Sequence, residues 1–84
     1  MQQPEIYSKL TEIFHDVFDD PSIVIGPGTS AADVPAWDSL NYINVMIAVM
    51  AEFGVKFQTS DLEQLHNVGD MVDAIQKKLE AQGR

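Results

Sequence analysis

The sequence predicts an all-α protein: a small four-helix bundle of three longer helices and one short helix, with a long loop between helices 1 and 2. Three observations lead there. Apolar residues recur at spacings of three and four in three separate segments. No Asn-Gly or Asp-Gly pair of the hairpin kind occurs anywhere in the chain. A Gly26-Pro27-Gly28 run breaks any helix through the first long connection. The 84 residues leave room for one domain, residues 1–84, and one small core.

In the first segment Ile6, Leu10, Ile13, Phe14, Val17 and Phe18 fall on one helical stripe. Pro4 suits its first turn and Pro21 marks its end, while Glu12, His15, Asp16 and Asp19 take the wet side. Next comes a connection over roughly residues 20–37, interrupted by Pro21, Gly26, Pro27, Gly28 and Pro35. Loops this long are uncommon in compact domains and are often functional. Ile23, Val24, Ile25, Val34 and Trp37 give it apolar anchors, so it is expected to lie across the bundle. A short strand over 22–25 is the competing reading, and it lacks an obvious partner strand.

A second helix is expected over 39–53, with Asp38 as N-cap and Gly54 as the C-terminal stop. Leu40, Ile43, Met46, Ile47, Met50 and Phe53 form its expected core stripe. Asn44, Val45, Ala48 and Val49 extend neutral or apolar character around the rest, so this helix is greasier than a surface helix needs to be. After an extended link over 55–57, Thr59 or Ser60 begins a short helical turn. Ser60 and Glu63 match a capping box there, with Leu62 and Leu65 as a buried pair. Asn67 is the expected cap of the last helix, in which Val68, Met71, Val72, Ile75 and Leu79 face inward. Lys77 and Lys78 complement the dipole at its C-terminal end.

Composition excludes whole classes. The chain has no cysteine, which removes disulfides, thiolate metal sites and cysteine nucleophiles. Five Lys and Arg against thirteen Asp and Glu give a formal charge of −8. Such a chain repels nucleic acid and attracts proteins with basic patches. No apolar run approaches the roughly 20 residues that span a bilayer, and residues 1–4 lack the basic and apolar parts of a secretory signal. A monomer in the cytoplasm, without membrane contact, is the expectation.

The stretch that carries chemistry is Trp37-Asp38-Ser39-Leu40, where the long loop meets the second helix. A serine there ordinarily caps a helix. Its hydroxyl also projects toward solvent near unpaired backbone N–H groups and the positive end of the helix dipole, a favourable field for a phosphodiester. Asp38 is a local opposing charge that suits a modifying enzyme's need to hold a metal ion or orient the serine.

Asp38-Ser39-Leu40, followed by Ile43, Met46, Ile47, Met50 and the Glu52-Phe53-Gly54-Val55 run, resembles the acyl carrier proteins and their peptidyl-carrier relatives. Phe57, the short helix with Leu62 and Leu65, and the segment from Val68 to Leu79 fall where that family has them, so the resemblance covers nearly the whole chain. It implies that a phosphopantetheinyl transferase, with magnesium, moves 4'-phosphopantetheine from coenzyme A onto Ser39. The terminal thiol of that arm would carry acyl groups as thioesters to acyl-loading and acyl-processing enzymes, which explains thiol chemistry in a protein without cysteine. The resemblance also implies that Leu40, Asn44, Ile47 and Phe57 face partner enzymes or the base of the arm. Leu40, Ile43, Ile47, Leu62 and Met71 would line an interior that shelters a short acyl chain. The chain's size suggests a free-standing protein.

One departure from the family matters. Between Leu40 and Gly54 only Glu52 is acidic, and Asn44, Met50 and Ala51 stand where glutamates are usual in fatty-acid-synthesis members. Partners are therefore expected to meet a more apolar surface, in a specialised fatty-acid, polyketide, peptide or modified-lipid pathway. A peptidyl or aminoacyl carrier is the alternative, and an unmodified acidic helical interaction module is the alternative from another class. Catalysis is not expected. Ser39 with His15 or His66 lacks the glycine-flanked elbow of a hydrolase nucleophile. Glu12, His15, Asp16 and Asp19 read as a solvated face rather than a metal site. His66 reads as a loop or packing residue, and Met46 and Met50 as core.

Overall fold

A computed structural model describes residues 2–34 and 37–83, and Pro35, counted above among the helix breakers, lies outside them. Four helices follow one another: α1 (Gln3–Phe18), α2 (Ser39–Phe53), α3 (Thr59–Leu62) and α4 (Val68–Ala81). No strand forms among the described residues, so residues 22–25 are loop.

The α1 stripe buries Ile6, Leu10, Ile13 and Phe14, with Val17 and Phe18 half-buried beside them. The helix stops where Asp19 turns left-handed at φ 51°, a conformation that Asp tolerates better than most residues. His15 departs from the wet side assigned to it. It is half-buried, and its Nε2 sits 2.8 Å from the Ile23 carbonyl, tying the loop to the helix.

Helix α2 starts and stops where expected. Asp38 Oδ1 accepts from the Asn41 N–H at 2.8 Å, and Gly54 takes the left-handed position at φ 68° that a side chain would strain. Its buried face is corrected. Val45, Met46, Val49 and Phe53 are buried, whereas Leu40, Ile43 and Ile47 are 68%, 51% and 56% exposed. An apolar circumference gave two candidate stripes. The helix packs against α1, and the one-turn α3 is too short to cover the other stripe.

The third helix is also capped differently from the Ser60–Glu63 expectation. Asp61 accepts from the Gln58 N–H at 2.9 Å, so the cap sits two residues earlier, and Leu62 and Leu65 are only half-buried. Lys78 reaches back from α4 to Asp61 at 3.4 Å and lies 4.8 Å from the centre of the Phe57 ring.

Helix α4 buries all five residues assigned to it. Asn67 Oδ1 accepts from the Asp70 N–H at 2.8 Å. Two further N–H groups at this helix start are satisfied by the long loop: Val68 donates to the Thr29 carbonyl at 2.8 Å and Gly69 to the Pro27 carbonyl at 3.0 Å. A Cβ at Gly69 would lie 2.7 Å from the Pro27 oxygen, so the approach requires glycine. Farther along the loop, alternation sends Ile23 and Ile25 toward the core and leaves Val24 86% exposed, a correction to its role as an anchor. α1, α2, α4 and Val55 share one hydrophobic core.

Candidate functional site

Ser39 is the first residue of α2 and is exposed. Because Asp38 supplies the cap, the serine hydroxyl is not spent on the helix. Asp38 is extended at φ −116°, and its carbonyl accepts from the Tyr42 N–H at 2.8 Å, so the Asp38–Ser39 junction is fixed by α2 itself.

Aromatic packing holds the incoming loop in place. Trp37 meets Phe14 edge-on at 5.3 Å and lies 6.0 Å from the Tyr42 ring, while Phe14 rests 5.3 Å from Phe18. Such pairs add about 0.5–1.5 kcal/mol each beyond their burial. The Tyr42 hydroxyl donates to the Leu62 carbonyl at 3.1 Å, linking α2 to α3, and burial raises its pKa, so it stays a neutral donor.

An open cleft of about 340 Å³ lies beside Ser39, walled by Ala31, Trp37, Asp38, Tyr42, Leu65 and His66. A larger cavity, about 380 Å³, sits between the end of α1 and the loop near Phe18 and Val34, and contains none of the predicted site residues. Leu40, Ile43, Asn44 and Ile47 share one exposed face of α2. Phe57 is half-buried under Lys78. Of the residues expected to line an acyl-sheltering interior, Met71 is fully buried and Leu62 half-buried. Ile43, Leu40 and Ile47 point outward and do not line the interior; the uncovered stripe of α2 is the reason.

Of the cleft walls the sequence singles out Asp38 and, in the same stretch, Trp37, and it gives Leu65 only as packing. His66 reads from the sequence as a loop or packing residue, and nothing there singles out Ala31 or Tyr42. The available signal for His66 was its place one residue before the α4 cap, on the link that faces the start of α2. Among the described residues no group of three or more His, Asp and Glu is placed to hold a metal ion.

The site presents an exposed hydroxyl at a helix start, with a groove beside it in which the other hydroxyl among the described lining residues, that of Tyr42, donates to the Leu62 carbonyl. It fits a covalent arm: the hydroxyl is accessible, and unpaired N–H groups of the first turn favour a phosphate ester. The family model described as the phosphopantetheine attachment site matches residues 8–75. An acyl carrier protein of Thermotoga maritima is 38% identical over 76 residues, covering 89% of this chain and 93% of that protein. A meromycolate extension acyl carrier protein of Mycolicibacterium aurum is 35% identical over 75 residues, covering 89% of this chain and 77% of its own length. The solution structure of a holo acyl carrier protein from Geobacter metallireducens superposes with a TM-score of 0.85 at 43% identity, over 90% of this chain and 87% of that one.

Fold and match together define a non-catalytic carrier whose cofactor is a covalently attached 4'-phosphopantetheine. More narrowly, the chain belongs to the acyl carrier protein family. The arm's terminal thiol is what holds acyl groups as thioesters. Carriers of this family work with modifying and acyl-processing enzymes.

Proposed function

We propose that Ser39 bears the arm, and that this chain works as a single-domain, monomeric cytoplasmic carrier of acyl groups in a specialised biosynthetic pathway. The observation that carries the reading is the exposed Ser39 hydroxyl at the head of α2, uncommitted to capping and opening onto a cleft. Asp38 orients this junction through its cap to Asn41 and leaves its second oxygen for the metal ion of a transferase.

Partner enzymes dock on the α2 face formed by Leu40, Ile43, Asn44 and Ile47, with Phe57 at its far edge. Three large aliphatic side chains uncovered on one helix face are unusual for a monomer's surface and suit a partner's apolar groove. Glu52 is the single carboxylate of α2 and is paired with Lys9 at 3.0 Å, so a basic partner patch finds little to steer on this face. Leu62 and Met71 remain the interior residues between which a short acyl chain would shelter.

The test is intact mass after incubation with a broad-specificity phosphopantetheinyl transferase, coenzyme A and magnesium. The expected result is a gain of one phosphopantetheinyl group in the wild type and none in Ser39→Ala. Equal gain in both proteins would move the arm to another hydroxyl.

A further inference from the structure

The cleft beside Ser39 has two walls that attachment and docking leave unused, the Trp37 indole and the His66 imidazole. Resting on the Ser39 reading, we propose that these two side chains seat the proximal end of the arm, His66 on the phosphodiester and Trp37 against the gem-dimethyl pantoyl segment.

Charge is the first argument. A phosphodiester on Ser39 places an anion next to the Asp38 carboxylate on a chain of net charge −8. Such an anion is stabilised by a nearby cationic or N–H donor. The described lysines do not supply one: Lys9 is engaged by Glu52 and Lys78 by Asp61, and neither these nor Lys56 or Lys77 line the cleft. Tyr42 lines it, but its hydroxyl proton goes to the Leu62 carbonyl. Of the cleft residues His66 alone is able to carry positive charge.

Preorganisation is the second argument. The His66 backbone is pinned, since its N–H donates to Asp70 Oδ2 at 3.1 Å and the next residue caps α4, while its side chain stays exposed. Trp37 is held on one side by Phe14 and Tyr42 and is half-buried, leaving part of a rigid apolar ring as a cleft wall. A branched apolar segment one phosphate away from Ser39 matches that wall, and neither residue pays much ordering entropy on contact.

Holo protein is prepared with the transferase, its mass confirmed, and NOE spectra and tryptophan emission are compared with the apo form. Trp37 is the only tryptophan, so emission reports this cleft alone. The expected result is NOEs from the Trp37 indole and His66 ring protons to the arm's geminal methyls, and an emission change between apo and holo. The His15 ring, held at the Ile23 carbonyl, should not shift. In holo His66→Ala the Trp37–methyl NOEs should fall by at least half at unchanged mass gain, and His66→Gln, which keeps an N–H donor, should recover part of them. A mass-confirmed holo protein with no such NOEs and superimposable emission overturns this proposal and leaves Ser39 attachment standing. Absence of any mass gain removes both.

Discussion

Replacing Gly69 with alanine should destabilise the protein, against the usual sign for a helix. Removing glycine from a helix ordinarily gains up to about 1 kcal/mol from propensity. Here the added methyl would lie 2.7 Å from the Pro27 carbonyl oxygen and 3.2 Å from its Cα, both backbone atoms. They cannot swing aside as a side-chain tip would. Overpacking of that kind costs about 1–3 kcal/mol. Relief requires the loop to back away, which weakens the Gly69-to-Pro27 and Val68-to-Thr29 hydrogen bonds, each worth about 0.5–1.5 kcal/mol net. Set against the propensity gain, the balance is a loss of about 1 kcal/mol, or roughly 4–8 °C in Tm for a domain of this size. Thermal unfolding followed by circular dichroism measures it. Gly28→Ala is the control, because nothing lies within 4 Å of its added Cβ; it should be neutral or slightly stabilising. A Gly69→Ala protein as stable as wild type would refute the idea that the loop is clamped onto the start of α4.

Three other outcomes follow from the same contacts. Asp38→Ala should lose about 0.5–2 kcal/mol in urea unfolding, since the Asn41 N–H loses its cap, whereas Ser39→Ala should unfold like wild type. The pKa of Asp20 is held below its ordinary 3.8 chiefly by the Ser22 hydroxyl and N–H, and that of Asp61 by the Gln58 N–H and then Lys78. A depressed carboxylate pKa gives stability that is fully present above the ordinary value and lost as pH falls through and below it. The urea midpoint gap between wild type and Ser22→Ala should therefore be visible at pH 6 and narrow by pH 3. Ile47→Asp should weaken binding of a cognate acyl-processing enzyme about tenfold or more by calorimetry, and wild-type affinity should change little with added salt, because the docking face is apolar.

Periodicity carried most of the architecture. The bounds of α2, the caps at Asp38, Gly54 and Asn67, and the inward face of α4 were legible because each rests on a local rule of spacing or capping. The exposed face of α2 was not. With Leu40, Ile43 and Ile47 on one stripe and Val45, Val49 and Phe53 on another, only the tertiary arrangement decides which stripe meets α1. His15 failed for a related reason: its partner is a loop carbonyl eight residues on, which no helical period encodes. The place of Ser39 at the exposed head of α2 was readable from its neighbours, since Asp38-Ser39-Leu40 at a loop-to-helix junction is a local pattern. Its cleft was not, because Ala31, Trp37, Tyr42, Leu65 and His66 come together from three parts of the chain.

Whether the Ser39 hydroxyl, and no other, carries the arm is read by tandem mass spectrometry on a tryptic digest of the transferase-treated protein. Cleavage after Lys9 and Lys56 leaves residues 10–56 as one peptide, which holds Thr11, Ser22, Thr29 and Ser30 as well as Ser39. Fragment ions, rather than the peptide mass, must therefore fix the position. Attachment at Ser39 requires that every modified fragment contain Ser39 and that fragments ending before Asp38 be unmodified. A phosphopantetheinyl group on Thr11, Ser22, Thr29 or Ser30 would contradict attachment at Ser39.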